Sequence, residues 1–323
     1  MSVHDVIVIG GSLAGAACVR RLERMGIDAI ALERDRFPRP KVCGGFLSPG
    51  AVDCLGQLGL VDEILDAGAV EVTSARVRAG SAEVEFPFKR RGLGISRTVL
   101  DEVVARHTRV KQGCGVQEVK RHGRMFHVNG MECSVVIDAA GKLSRFTRRR
   151  GTGDFGIQYV EPGTQGPVLK FSFFDHGYGG SVSVERGRSN SCFLVKKDAL
   201  RQYVDREDCL VTGPLAYDRL PGDFITVGDA AGMVDPFCGE GMRHALETGM
   251  LAAQIVAQGI RRGANYEEMK AEYEAEWRRR WAAKRMFGAM IRRLLAHRRT
   301  FACALRMSPA CSPTPTKSLS GNN

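Results

Sequence analysis

The apolar run Val6-Ile7-Val8-Ile9 has the length of a buried strand. It breaks at Gly10-Gly11-Ser12-Leu13-Ala14-Gly15, after which Ala16-Ala17-Cys18-Val19-Arg20-Arg21-Leu22 takes up helical spacing. A second run, Ala29-Ile30-Ala31-Leu32, ends in Glu33. Strand, glycine turn, helix, strand and an acid about 20 residues beyond the glycines form the pattern of a dinucleotide-binding βαβ unit. In that unit Gly10 makes the sharp turn and Gly15 lets the helix pack closely on the strand. The N–H groups at the helix start, at Leu13 and Ala14, face a pyrophosphate with the positive end of the dipole behind them. Ser12 occupies the place of the usual second glycine; its Cβ crowds the phosphate and its hydroxyl offers a hydrogen-bond donor.

After Glu33 the periodicity stops in a loop rich in proline and glycine that runs to Pro49. Its basic residues, Arg34, Arg39 and Lys41, follow the ribose-binding acid and are candidates for adenine or phosphate contacts; a solvated basic loop is the simpler account of each alone. Cys43, followed by Gly44 and Gly45, reads on its own as a small buried thiol. Residues 51–67 fit two short helices broken at Gly59. From Val70 to Phe88 the alternation is that of a hairpin turning at Ala79-Gly80-Ser81. Ser96 caps a helix over 98–107, which sets Arg97 at a helix start; taken singly, Arg97 suits a surface ion pair.

Short strands fill 110–136, and the buried run Ser134-Val135-Val136-Ile137-Asp138 arrives at the small-residue turn Ala139-Ala140-Gly141, returning the chain to the first sheet. Residues 155–195 are strand-rich and read as an antiparallel sheet outside the nucleotide fold. Then Phe224-Ile225-Thr226-Val227 ends in Gly228-Asp229, and a loop containing Pro236, Gly239 and Gly241 enters a helix at Met242 that runs to about residue 258. Asp229 is placed to accept hydrogen bonds from a sugar-like hydroxyl chain. The N–H groups from Gly239 to Met242 can stabilise negative charge on a bound ring.

The bulk properties narrow the class. At 323 residues and 44% hydrophobic the chain can build a large core. Its net charge of +11 gathers in part at 145–150 and 278–306, but no nucleic-acid module with interleaved aromatics appears, so no nucleic-acid partner is expected. Ten cysteines occur without a CxxC pair or zinc spacing, and residues 1–5 run directly into the first strand, so reduced thiols in a cytoplasm and no metal site are expected. No apolar stretch approaches the roughly 18 residues of a membrane span. In 266–307, Trp277, Trp281, Phe287, Met290, Ile291, Leu294 and Leu295 recur at helical spacing among arginines. A packing helix with a basic face is the first expectation, and a peripheral membrane-surface helix the second.

Three separated places resemble the FAD-dependent enzymes of the p-hydroxybenzoate-hydroxylase fold, over roughly residues 3–300. The glycine turn with Glu33 is similar to the family's ADP-binding unit, Arg97 to its flavin-contacting arginine, and Val227-Gly228-Asp229-Ala230-Ala231-Gly232 to its ribityl-binding motif, which continues through Asp235-Pro236 and Gly239-Glu240-Gly241. Phe37-Pro38-Arg39 with Lys41-Val42-Cys43-Gly44-Gly45, and Tyr178-Gly179-Gly180 with Val184-Glu185 and Asn190, resemble the geranylgeranyl-reductase-like branch.

The resemblance implies an α/β fold: a Rossmann-like FAD-binding domain interrupted by an antiparallel substrate domain, with C-terminal helices. Residues 1–70, 93–150 and 215–262 form the first domain, 71–92 and 151–214 the second, 263–307 a helical segment and 308–323 a disordered tail. FAD is the implied cofactor, and NAD(P)H or another donor the source of electrons. The implied activity is reduction of a C=C bond in an apolar, isoprenoid- or polyketide-like substrate by hydride transfer. Catalysis falls to the Cys43-Gly44-Gly45 loop. A flavin-dependent monooxygenase and a shortened FAD-binding protein without turnover are the alternatives. Three departures bear on this choice: the family's Asp-Gly motif is Ala139-Ala140-Gly141, with its carboxylate missing or displaced to Asp138; Gly180 stands where the reductases carry Trp; and only 201–221 link the last substrate strand to Phe224.

Overall fold

The first apolar run forms β1, the central strand of a seven-stranded sheet in the computed structural model, which describes residues 2–147, 153–204, 208–215, 222–295 and 311–313. In chain order the elements are β1 (Val3–Ile9), α1 (Leu13–Arg24), β2 (Ala29–Leu32), β3 (Phe46–Leu47), α2 (Pro49–Gln57), α3 (Val61–Asp66), β4 (Val70–Ala79), β5 (Ala82–Gly94), α4 (Arg97–Arg106), β6 (Val110–Lys111), β7 (Val119–His122), β8 (Met125–Val128) and β9 (Met131–Asp138). There follow β10 (Asp154–Pro162), β11 (Val168–Phe174), β12 (Gly177–Val184), β13 (Arg188–Lys196), β14 (Leu210–Thr212), β15 (Ile225–Thr226), α5 (Gly241–Arg261), α6 (Tyr266–Leu295) and β16 (Cys311–Pro313).

The first sheet runs β6-β2-β1-β9-β8-β7, with β15 paired parallel to the C-terminal end of β9 at Ile225↔Ile137, beyond the residues that pair with β8. β1 is parallel to both β2 and β9, so each pairing needs a crossover; α1 supplies the first. Val6, Ile7 and Val8 are fully buried because helices cover the parallel core. α1 and α5 cross so closely that a Cβ on Gly249 would lie 2.2 Å from the Ala14 carbonyl oxygen. α6 ties β15 to the sheet: Tyr266 Oη donates to the Val136 carbonyl at 3.0 Å and accepts from Ile225 N at 3.0 Å, and Tyr273 Oη donates to the Thr226 carbonyl at 2.8 Å.

The second sheet has nine strands in the order β14-β10-β13-β12-β11-β4-β5-β16, with β3 also on β5. It takes the β4–β5 hairpin from before the return to the first sheet and β10–β14 from after it. Its pairings are antiparallel except β4 with β11, which run parallel because the chain re-enters beside β4 after the whole of β5–β10.

One expectation at the C-terminal end changes. Part of the tail expected to be disordered is a strand: β16 pairs with β5 at Cys311↔Val84, where an otherwise open sheet edge offers unpaired backbone groups. Residues 266–295 form one helix, preceded by the described residues 263–265, and 296–307 lie outside the described residues. Along α6, Tyr266, Met269, Tyr273, Trp277 and Trp281 recur every three or four residues and are buried against the first sheet and α5, which is the packing-helix expectation. Further on, Met286 and Met290 are exposed. Among the described residues no helix is long and apolar enough to cross a membrane.

Candidate functional site

The turn after β1 must be bare backbone. Gly10 has φ +101°, and a Cβ there would lie 2.6 Å from the Ala139 carbonyl oxygen; one on Gly15 would lie 1.9 Å from the Gly10 carbonyl oxygen. The Leu13 and Ala14 side chains are buried in the core, which leaves their backbone as the part that can serve a ligand. Glu33, buried at the end of β2, accepts from Gly11 N at 2.9 Å and from Asp35 N at 3.0 Å. Arg39 folds back over this acid, 4.0 Å from Glu33 Oε1 and 3.1 Å from Asp35 Oδ2, whereas Arg34 is exposed and pairs with Asp35.

Arg97 overturns its surface expectation. It is 7% exposed and donates to both carboxylate oxygens of Asp101 at 2.9 Å, one turn along α4. Its Nη2 also donates to Ser12 Oγ at 2.6 Å, and Ser12 Oγ donates to Asp101 Oδ2 at 3.1 Å. The departure at Ser12 is thereby explained: its hydroxyl locks the glycine turn to α4, whose cap is the predicted one, Ser96 Oγ accepting from Val99 N. Burial opposes the Arg97 charge, but Asp101 outweighs it and holds the guanidinium above its ordinary range.

The loop carrying Lys41, Cys43, Gly44 and Gly45 is fastened to the second sheet. Cys43 N donates to Gln158 Oε1 at 2.9 Å, Asn190 Nδ2 donates to the Cys43 carbonyl at 3.0 Å, and Gln158 Nε2 donates to Asn190 Oδ1 at 2.5 Å. Cys43 is half-buried, packed against the core that Leu47 and Met242 share and close enough to Arg97 to interact with its guanidinium. Gly45, at φ +72°, passes so near Asn190 and the Ile95 carbonyl that a Cβ would meet them at 3.1 and 3.2 Å.

Past β15 the chain enters a tight turn, so Asp229 lies in a helical turn over 228–231 rather than on the strand end itself. Gly228, at φ +59°, donates to Thr248 Oγ1 at 2.8 Å. Asp229 lies within electrostatic reach of Lys41 and Lys142. Burial holds both ammonium groups below their ordinary range; Arg97 adds to this at Lys41, and Asp229 opposes it at both. Pro236 opens a turn whose cap, Asp235, accepts from Phe237 N at 3.1 Å and from Tyr178 Oη at 2.8 Å, linking this loop to the second sheet. Gly239 has φ +62°, and Met242 buries its side chain in the core cluster that includes Leu47 and Leu55, so Gly239 to Met242 present backbone to the site.

The displaced carboxylate is settled. Asp138 is fully buried and accepts from Ala140 N at 2.9 Å, from Ser144 Oγ at 2.5 Å and from Thr147 Oγ1 at 3.2 Å, so it shapes its own turn and does not replace the missing acid at the surface of the site. Spacing reasoning missed Asp101, Gln158 and Lys142. Only Asp101 carried a local signal, four residues beyond Arg97 on the same helix face.

These residues fit an FAD. Glycines at 44, 141 and 241 face open space, with nothing within 4 Å of a Cβ built on any of them. The turn at Gly10–Gly15 offers bare backbone for a diphosphate, with Glu33 to one side for a ribose and Asp229 to the other for a polyol.

Residues 3–133 match the model of an FAD-binding domain family. The chain is 26% identical to digeranylgeranylglycerophospholipid reductase 2 of Methanothermobacter thermautotrophicus, over 86% of this chain and 84% of the relative. It is 28% identical to menaquinone reductase of Mycobacterium tuberculosis, over 78% and 76%. Its fold is that of a geranylgeranyl bacteriochlorophyll reductase-like protein of Thermoplasma acidophilum, with a TM-score of 0.79 at 19% identity over 95% of this chain and 91% of that one. PqsL of Pseudomonas aeruginosa, described as a probable FAD-dependent monooxygenase, has the same fold, with a TM-score of 0.75 at 17% identity over 95% and 100%.

Proposed function

We propose that this FAD-dependent oxidoreductase, related in sequence to the geranylgeranyl reductases, reduces a C=C bond of an apolar, isoprenoid- or polyketide-like substrate. The observation that carries the reading is an apolar wall on the second sheet next to the site's loops. Phe171, Phe173 and Tyr178 pack with Phe237 from the 236–238 turn, ring centroids 5.2 to 6.1 Å apart, and Leu194 and Leu215 complete the cluster. Its one hydroxyl, on Tyr178, is committed to Asp235. Such a wall selects apolar surface and excludes water, the conditions hydride delivery needs.

When bound, FAD supplies a carrier of two electrons and a hydride. Glu33 would take the adenosine ribose, the Gly10–Gly15 turn with Leu13 and Ala14 N–H the diphosphate, and Asp229 the ribityl chain. Arg97 would sit on the flavin side of the turn, fixed there by Asp101 and Ser12. Gly44 and Gly141 leave room for close approach of a flat ring, whereas the Cβ side of Gly45 is closed by Asn190 and the Ile95 carbonyl. Cys43, held by Gln158 and Asn190, is the thiol nearest to that approach. NAD(P)H is the proposed source of electrons.

The test is to supply the FAD-loaded protein with NADPH or NADH and a polyprenyl quinone or geranylgeranyl lipid under labelled O₂. Product two hydrogens heavier and free of label is the expected result. Label in the product overturns the reading in favour of a monooxygenase, and identical rates of flavin reoxidation with and without every substrate overturn it in favour of a protein without turnover.

The proposed membrane contact rests on the end of α6, where exposed Met286 and Met290 follow a basic stretch that includes Arg278, Arg279, Arg280 and Lys284. Anionic headgroups attract such a segment by about 1 kcal/mol per nearby basic residue. Co-sedimentation is expected with vesicles containing anionic lipid and not with neutral ones. Equal, negligible recovery with both leaves α6 as a packing helix alone.

A further inference from the structure

The order β2-β1-β9 fixes the direction of an extended cofactor. Glu33 ends β2 on one side of the Gly10 turn, while the 139–142 and 228–231 turns follow β9 and β15 on the other. With an adenosine at Glu33 and a diphosphate at Gly10–Gly15, the flavin end passes over the second pair of turns. The cations near that path are not equivalent. Arg97 is bound to Asp101 and Ser12 beside the glycine turn. Lys142 instead reaches from the end of β9 to the second sheet, where its Nζ hydrogen-bonds with Thr212 Oγ1 on β14. That bond sets it where the two sheets meet, half-buried and next to the open space at Gly141, within electrostatic reach of Asp229, Lys41 and Arg97.

We propose that Lys142 is the cation that stabilises the reduced ring of FAD. Oxidised FAD accepts two electrons and one proton to reach the anionic reduced form, so one negative charge appears on the ring that was absent before. A fixed ammonium at the ring end interacts with that charge and with little in the oxidised ring, which makes its effect selective for reduction. The selectivity matters for either direction of electron flow, because it sets how readily a donor can load the cofactor. Arg97 is already paired with Asp101 and bonded to Ser12, so its charge is offset in both redox states and does not discriminate in this way. The inference rests on the orientation of FAD given above and not on the identity of the substrate.

The test is the midpoint potential of the FAD-loaded protein, read by anaerobic titration with dithionite against a reference dye, in wild type, Lys142→Met and Lys142→Arg. Lys142→Met is expected to weaken reduced relative to oxidised FAD about tenfold, a fall of roughly 30 mV for a two-electron couple. Lys142→Arg, which keeps the charge, is expected to stay near wild type. A wild-type potential in Lys142→Met overturns the proposal. So does an equal fall in Lys142→Arg, which would make shape rather than charge the cause, and so does loss of oxidised FAD from Lys142→Met, which would place the cation on the diphosphate. Failure of the C=C reductase assay leaves these potentials unchanged, so the two readings fail separately.

Discussion

Gly15→Ala is expected to abolish FAD retention and to cost about 3 kcal/mol or more of stability. The added Cβ would lie 1.9 Å from the Gly10 carbonyl oxygen and 3.2 Å from the Ala139 Cβ. The first of these neighbours is backbone, so no rotamer change relieves the clash. Nor can α1 retreat, since its other side is held against α5, where the Ala14 carbonyl fills the place a Gly249 side chain would take. The displacement passes to Gly10 and from there to the N–H groups that would meet the diphosphate. Gly26→Ala is the control. It lies after α1 at φ +76° with nothing within 4 Å, so it carries a backbone cost of roughly 1 kcal/mol and no steric one. Urea unfolding gives the stability of each variant, and flavin absorbance after gel filtration gives the cofactor. A Gly15→Ala protein that elutes yellow with a wild-type unfolding midpoint would contradict this account.

What could be read from the chain was what short-range periodicity encodes. The glycine turn, β1, α1, β2 and the acid at 33 follow from residues within about one βαβ unit, and so does the Ser96 cap. The β4–β5 hairpin was legible in the same way, through alternation around Gly80-Ser81. What escaped was set by residues far apart in sequence. Cys43 is held by Gln158 and Asn190, 115 and 147 residues away, and neither belongs to a pattern that points back to it. The parallel pairing of β4 with β11 is a fact of topology that neither strand's sequence carries. Arg97 illustrates the limit of spacing best: its partner four residues on was visible, yet burial turned on a third residue, Ser12, 85 positions earlier. The strand at Cys311–Pro313 depends on the free edge of β5, which a compositional reading of the tail cannot see.

Asp101→Leu is expected to cost about 3–5 kcal/mol, because it leaves the Arg97 guanidinium buried without its carboxylate. The ion pair has 7% and 0% of its side-chain surfaces exposed, so water cannot take over the role of Asp101. Ser12 suffers as well, since its hydroxyl loses the acceptor at 3.1 Å while still accepting from Arg97. A second variant separates stability from cofactor binding. In Arg97→Met/Asp101→Leu no charge is left buried, and replacing both members of such a pair by apolar groups of similar size is often close to neutral. The double variant is therefore expected to recover most of the unfolding free energy lost in Asp101→Leu. FAD affinity should not recover with it, because the guanidinium that sits at the head of the glycine turn is gone and Ser12 is released from α4. Loss of one charged hydrogen bond to the cofactor is worth roughly 1.5–3 kcal/mol, about 10- to 100-fold in Kd. Fluorescence titration of the apoprotein with FAD measures it at a denaturant-free concentration where both variants are folded. If the double variant is as stable as wild type and binds FAD equally well, the Arg97–Asp101–Ser12 cluster is a device for packing α4 against the turn and has no part in holding the cofactor.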